Sequence, residues 1–174
     1  ASLTNLPVLS IDYRLAPEVA YPTCVDDCWT VYKWLLAHGS EHGISTKKIV
    51  ITGDSAGAAI AASVTVRAIM ENNRAPDGCL FTYIWSAGPE FPSHKRFSND
   101  VLLPKQILDM GKVAVKEGLK KTKRTDYSPY DASDDIIKQF PPCLLYVGDR
   151  DPLLDDSRFI HDKFTKCGVD STLH

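Results

Sequence analysis

The chain has 174 residues, of which 44% are hydrophobic and 24% are charged, and its formal net charge is −2. This length is sufficient for one domain with a hydrophobic core, and the net charge gives no indication of a basic surface that would bind nucleic acid. No apolar run approaches the ~20 residues that a membrane span needs. Five scattered cysteines without a Cys-x-x-Cys pair indicate free thiols in a reducing compartment, so a cytoplasmic location is expected.

Short apolar runs alternate with helical patterns along the chain. Strands are predicted at 8–12, 48–52, 79–86, 143–147 and 171–174, and helices at 25–37, 56–72, 105–119, 133–140 and 155–167. Gly168 is predicted to end the last of these helices. The alternation predicts the α/β class, with a mostly parallel sheet and helices on both faces. Because no composition shift suggests a linker, residues 1–174 are interpreted as part of one catalytic domain.

The predicted strand at 48–52 runs into Gly53-Asp54-Ser55-Ala56-Gly57 and then into a helix. Gly-x-Ser-x-Gly between a strand and a helix is the nucleophile-elbow pattern. Both glycines are expected to leave room where a Cβ would collide, and Ser55 is expected to stand at the helix N-terminus as a nucleophile. The backbone N–H of Ala56 then points where an oxyanion would form. A plain turn or a phosphate cradle is the alternative, but neither Gly-Lys-Ser/Thr nor Gly-x-Gly-x-x-Gly occurs.

The acid of a catalytic triad is expected after the nucleophile, on a loop following a later strand. Four aspartates follow the predicted strand at 143–147, namely Asp149, Asp151, Asp155 and Asp156. Asp155 and Asp156 are better interpreted as residues that complement the start of the next helix. Spacing alone does not choose between Asp149 and Asp151.

Three separated motifs resemble those of the hormone-sensitive lipase family of α/β-hydrolases. They are Ser10 to Glu18 (Ser-Ile-Asp-Tyr-Arg-Leu-Ala-Pro-Glu), the Ser55 pentapeptide, and Asp151 to Asp156 (Asp-Pro-Leu-Leu-Asp-Asp). The resemblance implies an α/β-hydrolase fold with Ser55 as nucleophile, Asp151 as triad acid and the Ala56 N–H as an oxyanion donor. It also implies an ion pair between Arg14 and Glu18.

The family has an upstream His-Gly-Gly-Gly loop that nothing in this chain matches. Its catalytic histidine would fall several residues beyond His174, whereas His161 lies inside a predicted helix. The chain is therefore expected to be truncated at both ends, to lack the catalytic base, and to be nearly inert by itself.

Three other patterns each allow a functional and a structural interpretation. Cys24, Cys28, His38 and His42 have a spacing too short for a zinc finger, so no metal is expected. A basic stretch could contact an anionic lipid surface, although a solvated face is favoured; it comprises Lys112, Lys116, Lys120, Lys121, Lys123 and Arg124. Ile107, Leu108 and Met110 could line an acyl pocket, but their spacing is that of core residues.

The function hypothesis is a serine carboxylic ester hydrolase that acts on acylglycerol or similar acyl esters through a Ser-Asp-His triad and an acyl-enzyme. It needs no metal or organic cofactor. The expected partner is a small-molecule ester or lipid, and the sequence gives no prediction of oligomeric state. The alternative is a non-catalytic receptor that binds a small molecule on the same fold.

Overall fold

The computed structural model describes residues 5–99, 101–122 and 128–174. The four strands are β1 (Val50–Asp54), β2 (Gly78–Thr82), β3 (Cys143–Tyr146) and β4 (Ser171–Leu173). The six α-helices are α1 (Thr23–His38), α2 (Ala56–Met70), α3 (Pro92–Arg96), α4 (Lys105–Thr122), α5 (Asp134–Ile137) and α6 (Leu154–Lys166). A 3₁₀ helix, Gly39–His42, follows α1.

The strands form one sheet in the order β1-β2-β3-β4, and every neighbouring pair is parallel. A helix must carry the chain back between parallel neighbours. Helix α2 does so between β1 and β2, and α6 does so between β3 and β4. The predicted α/β class with a parallel sheet is confirmed.

The core lies between one face of the sheet and the helices. Phe81 and Leu145 point to this face and are fully buried together with Ile160 and Phe164 of α6 and several alanines of α2. The other side of α2 packs on α1 around Trp29. On the opposite face of the sheet, Val50 and Tyr146 are exposed.

The pairing continues past the carboxyl end of each of the first three strands. Ser55 N–H donates to the Thr82 carbonyl, Tyr83 N–H to that of Tyr146, and Val147 N–H to that of His174, at 3.0, 2.5 and 2.9 Å. The loops that follow β1, β2 and β3 therefore begin side by side at the carboxyl edge of the sheet, where these parallel strands end. Ligands of open parallel sheets bind at this edge.

Two predictions of local structure were wrong. The segment predicted as a strand at 8–12 has no regular secondary structure and lies outside the sheet, and Val8 and Leu9 are exposed. A β-strand requires backbone hydrogen bonds to a neighbouring strand, and none of the described residues forms such a ladder with this segment. The strand predicted to reach Ser86 ends at Thr82, because Tyr83 and Ala87 adopt positive φ angles of 36° and 52°. By contrast, Gly168 (φ 82°) follows the end of α6 as predicted.

Candidate active site

Ser55 sits on a sharp turn between β1 and α2. Its backbone angles are φ 54° and ψ −117°, a conformation that costs a residue with a Cβ about 1–3 kcal/mol. Hydrogen bonds on both sides hold the turn: Ser55 N–H donates to Thr82, and the Ser55 carbonyl accepts from Ala59 N–H at 3.2 Å and Trp85 N–H at 3.4 Å. Surrounding structure thus keeps Ser55 in a strained position at the carboxyl edge of the sheet.

The two glycines of the motif are not equivalent. A Cβ on Gly53 would collide with the carbonyl group of Gly57 and would lie 2.8 Å from the backbone nitrogen of Ala58. A Cβ on Gly57 would meet only the Tyr13 hydroxyl, at 3.9 Å, which is an ordinary contact. The prediction that both glycines are needed for space is therefore right for Gly53 and wrong for Gly57.

Ala56 is the first residue of α2. The first N–H groups of a helix have no acceptor within the helix, and they lie at the positive end of its dipole. The Ala56 N–H, next to Ser55, is thus placed to donate to an anion that forms beside the serine. This position agrees with its predicted role as an oxyanion donor.

Asp151 leaves the sheet at the same edge, after β3. Because β2 alone separates β1 from β3, the two chain exits lie about 10 Å apart across the sheet, roughly two strand spacings. Asp151 is half-buried; its N–H donates to the Gly148 carbonyl at 3.0 Å, and its Oδ1 accepts from Leu153 N–H at 2.8 Å.

The structure separates the four candidate aspartates. Asp155 accepts hydrogen bonds from Ser93 N–H (2.9 Å) and the Arg158 guanidinium (3.3 Å). Asp156 is fully buried and receives donors from elsewhere in the fold. Both lie in the first turn of α6, as predicted. Asp149 is exposed and Asp151 is half-buried, and the role of Asp151 as triad acid stays a prediction.

Sequence reasoning missed the most buried ionisable pair of the described chain. His94 Nε2 lies 2.5 Å from Asp156 Oδ2, and each side chain is 1% exposed. The two residues are 62 positions apart, so no local pattern could have paired them. The only available signal was the histidine itself, in a segment with no helical periodicity.

The other histidines are engaged away from Ser55. His38 Nδ1 lies 3.2 Å from a Glu41 carboxylate oxygen, and the His42 ring packs on Trp34. His161, on α6 as predicted, has its Nδ1 2.9 Å from the Ser171 hydroxyl. The ring of His174 stacks on Tyr146. Within the described ranges, none of the five histidines forms a hydrogen bond with Ser55.

The predicted ion pair of Arg14 is corrected by the structure. Arg14 binds Asp27 rather than Glu18, through Nη2 to Oδ1 at 2.7 Å and Nε to Oδ2 at 3.0 Å. Asp27 lies on α1, and this hydrogen bonding lowers the pKa of its carboxyl. The pair ties the segment before α1 to that helix at the surface.

The basic stretch and the apolar residues near it divide between two environments. Lys112 is half-buried, and burial lowers the pKa of its ammonium, whereas Lys116, Lys120 and Lys121 are exposed. Lys123 and Arg124 lie outside the described residues. Leu108 is buried, as its spacing predicts, but Ile107 and Met110 are exposed.

One surface cavity, of about 320 Å³, is lined by residues of α5 and α6 and by Cys167, and another, of about 400 Å³, lies along α4 beside Met110. Neither is bordered by Ser55 or Asp151. In the described part of the chain, no cluster of three metal-ligating side chains occurs and no helix is long and apolar enough to cross a bilayer.

Comparisons with known proteins agree with this architecture. A family model described as the alpha/beta hydrolase fold matches residues 1–174. An esterase of Acinetobacter venetianus is 31% identical over 175 residues, which cover 97% of this chain and 54% of that protein. Bovine hormone-sensitive lipase is 36% identical over 104 residues, covering 59% of this chain and 14% of that protein.

Among solved structures, carboxyl esterase 2 from Tuber melanosporum superposes with a TM-score of 0.86 at 28% identity, covering 93% of this chain and 54% of that one. The chain thus spans about half the length of the curated esterase that it matches. With the parallel sheet and the serine turn already described, these matches show that the chain belongs to the alpha/beta hydrolase fold family and, within it, to the group that resembles hormone-sensitive lipase.

Proposed function

We propose that the protein containing this chain is a serine carboxylic ester hydrolase. The observation that carries the proposal is the strained Ser55 turn at the carboxyl edge of the sheet, on the same edge as the loop that holds Asp151. The names of the relatives, esterase and hormone-sensitive lipase, support an ester as substrate. Acylglycerols or similar acyl esters are the substrates we propose.

In this mechanism the Ser55 Oγ attacks the acyl carbon while its proton passes to an imidazole. The carbonyl oxygen becomes an oxyanion, and the Ala56 N–H donates to it at the start of α2. The imidazole then protonates the leaving alcohol, and an acyl ester remains on Ser55. Water, activated by the same imidazole, releases the carboxylic acid.

Asp151 is proposed to hold the imidazole in the correct tautomer and to stabilise its charged form. Its backbone and side chain are fixed by bonds within its own loop, to Gly148 and Leu153. The imidazole itself is proposed to lie outside the 174 residues, because none of the five histidines in the described ranges forms a hydrogen bond with Ser55.

The test uses the full-length natural protein with a fluorophosphonate probe and a p-nitrophenyl acyl ester. We expect labelling and turnover in the wild type, and a loss of turnover of about 10⁶-fold in Ser55→Ala, as found when a triad nucleophile is removed. Ser40→Ala is the matched control, because Ser40 is an exposed serine on the 3₁₀ helix.

Undiminished labelling of Ser55→Ala would refute the assignment of the nucleophile. A wild-type protein that binds the ester but neither hydrolyses it nor reacts with the probe would instead support a receptor.

A further inference from the structure

The buried pair of His94 and Asp156 joins helix α3 to the first turn of α6. Besides His94, the Asp156 carboxylate accepts two hydrogen bonds at Oδ1, from Ser86 N–H at 3.0 Å and from the Ser86 hydroxyl at 2.7 Å. Three donors surround this one carboxylate in a site closed to solvent. These three hydrogen bonds satisfy a carboxylate that has no access to water.

The hydrogen bonds also define the state of the imidazole. His94 Nδ1 accepts from Phe91 N–H at 3.3 Å and lies 3.3 Å from the Lys112 ammonium nitrogen. Both neighbours are donors, so Nδ1 must be unprotonated and the ring proton must lie on Nε2, facing Asp156. The charged groups that face this ring are Asp156 on α6, and Lys112 and Asp109 on α4.

This trio has the residue types of a catalytic triad but not its geometry. In a triad the serine hydroxyl donates to the imidazole, whereas Ser86 donates to the carboxylate. Both ring nitrogens of His94 are already engaged inside the protein. The group therefore has no nucleophile to activate, and its effect must be on position.

The residue next to His94 binds the same segment. Ser93 Oγ donates to the Pro152 carbonyl at 2.7 Å and accepts from Asp155 N–H at 3.2 Å, while Ser93 N–H donates to Asp155 Oδ2 at 2.9 Å. Together with the Asp156 bonds, these contacts hold residues 152–156. The held segment begins at the residue directly after Asp151.

We propose that His94 is a positioning residue for the triad acid: its Nε2–H bond to Asp156, reinforced by Ser93, fixes the segment that directly follows Asp151. This inference rests on the proposed function. Removing the donor leaves a buried carboxylate short of a partner, and the segment must shift to resatisfy it. A displacement of about 1 Å at a catalytic group reduces turnover about 100-fold.

The test compares His94→Leu, which removes the donor, with His94→Gln, whose side-chain amide N–H replaces it. His161→Leu is the matched control on α6, because it loses only a bond to Ser171. In the full-length protein, we expect His94→Leu to lower kcat about 10- to 100-fold with KM changed less than about 3-fold. We expect His94→Gln to recover most of the loss.

The pH profile separates positioning from loss of folded protein. A well-placed Asp151 raises the pKa of the triad imidazole by stabilising its charged form, so a displaced carboxylate lets that pKa fall. The acidic limb of kcat/KM should therefore move to lower pH in His94→Leu, by roughly 0.5 to 1 unit. Unfolding of a fraction of the molecules would lower the amplitude without moving the limb.

A failure of this inference differs from a failure of the proposed function. Full turnover in Ser55→Ala refutes the function, whereas loss in Ser55→Ala with an unshifted limb and unchanged kcat in folded His94→Leu overturns the positioning role. If His94→Leu does not fold, His94→Gln decides: a folded variant that keeps most of the wild-type kcat and an unshifted limb supports the role, and a folded variant that loses as much kcat as expected for His94→Leu overturns it. Imidazole ¹⁵N shifts in the wild type should report the Nε2–H tautomer, and an Nδ1–H tautomer would contradict the assignment.

Discussion

Replacing Gly53 with alanine places a methyl group against the backbone of the turn that presents Ser55. The new Cβ would lie 2.8 Å from Ala58 N, about 0.6 Å short of the 3.4 Å at which ordinary contacts begin, and it would overlap the Gly57 carbonyl more severely. These atoms are backbone and cannot rotate away, so β1 and α2 must separate. We expect a loss of about 3 kcal/mol in the free energy of unfolding, typical of overpacking.

The same motif provides the control. At Gly57 the added methyl meets only the Tyr13 hydroxyl, at 3.9 Å. Since alanine also favours a helix over glycine, we expect Gly57→Ala to stay within about 1 kcal/mol of the wild type. Denaturant unfolding followed by tryptophan fluorescence measures both variants. A shift of the turn by about 1 Å should also lower ester turnover about 100-fold in Gly53→Ala.

The comparison between the two variants tests the reasoning. Equal damage from Gly53→Ala and Gly57→Ala would show that the motif depends on glycine for a reason other than space. A Gly53→Ala variant with unchanged stability would show that β1 and α2 separate without cost, and the steric account of the turn would be wrong.

Two further predictions concern α1 and its neighbours. Arg67 forms ion pairs with Asp26 and Glu71 at 2.6 Å each, and its side chain is only 16% exposed. We expect Arg67→Ala to lower the free energy of unfolding by about 1–3 kcal/mol. Arg14→Ala, which removes the exposed ion pair with Asp27, should lower it less in the same denaturation assay. Burial raises the pKa of Cys28 to about 12, so at pH 8 only about 10⁻⁴ of this thiol is ionised. We therefore expect iodoacetamide to modify the more exposed Cys167 before Cys28, which mass spectrometry of the labelled protein measures. Because the pKa of Cys28 is raised on folding, its contribution to stability is complete below about pH 9 and is lost as the pH rises to about 12; faster labelling of Cys28 than of Cys167 would contradict this account.

Local signals in the sequence were sufficient for most helices and strands. The predicted helix at 25–37 became Thr23–His38, and the predicted strand at 143–147 became Cys143–Tyr146. The spacing of apolar residues and continuous apolar runs involve only residues that are close in sequence, so a single sequence is enough to recognise them. Helix α3 was missed because its five residues have no periodicity, and its Ser93 and His94 are held by bonds to α6.

The sequence was sufficient to identify the residues of the candidate site but not to predict their hydrogen-bond partners. Ser55 and the four aspartates could be named because their motif and loop are contiguous in the chain. Asp155 and Asp156 could be assigned to the start of α6, but their partners, Ser93 and Ser86, lie more than 60 residues away and could not be predicted. Long-range pairing of this kind leaves no periodic trace, which is also why Arg14 was assigned the wrong partner.

The hydrogen bonds that continue past the ends of β1, β2 and β3 have a consequence for how such a site can vary. Each loop starts from a backbone position that the neighbouring strand has already fixed, through Ser55, Tyr83 and Val147. Side chains further along these loops can therefore be exchanged for others while the starting points stay in place. The carboxyl edge of the sheet fixes where all three loops begin, so a new substrate specificity can arise from substitutions in the loops alone while the geometry of the sheet is unchanged.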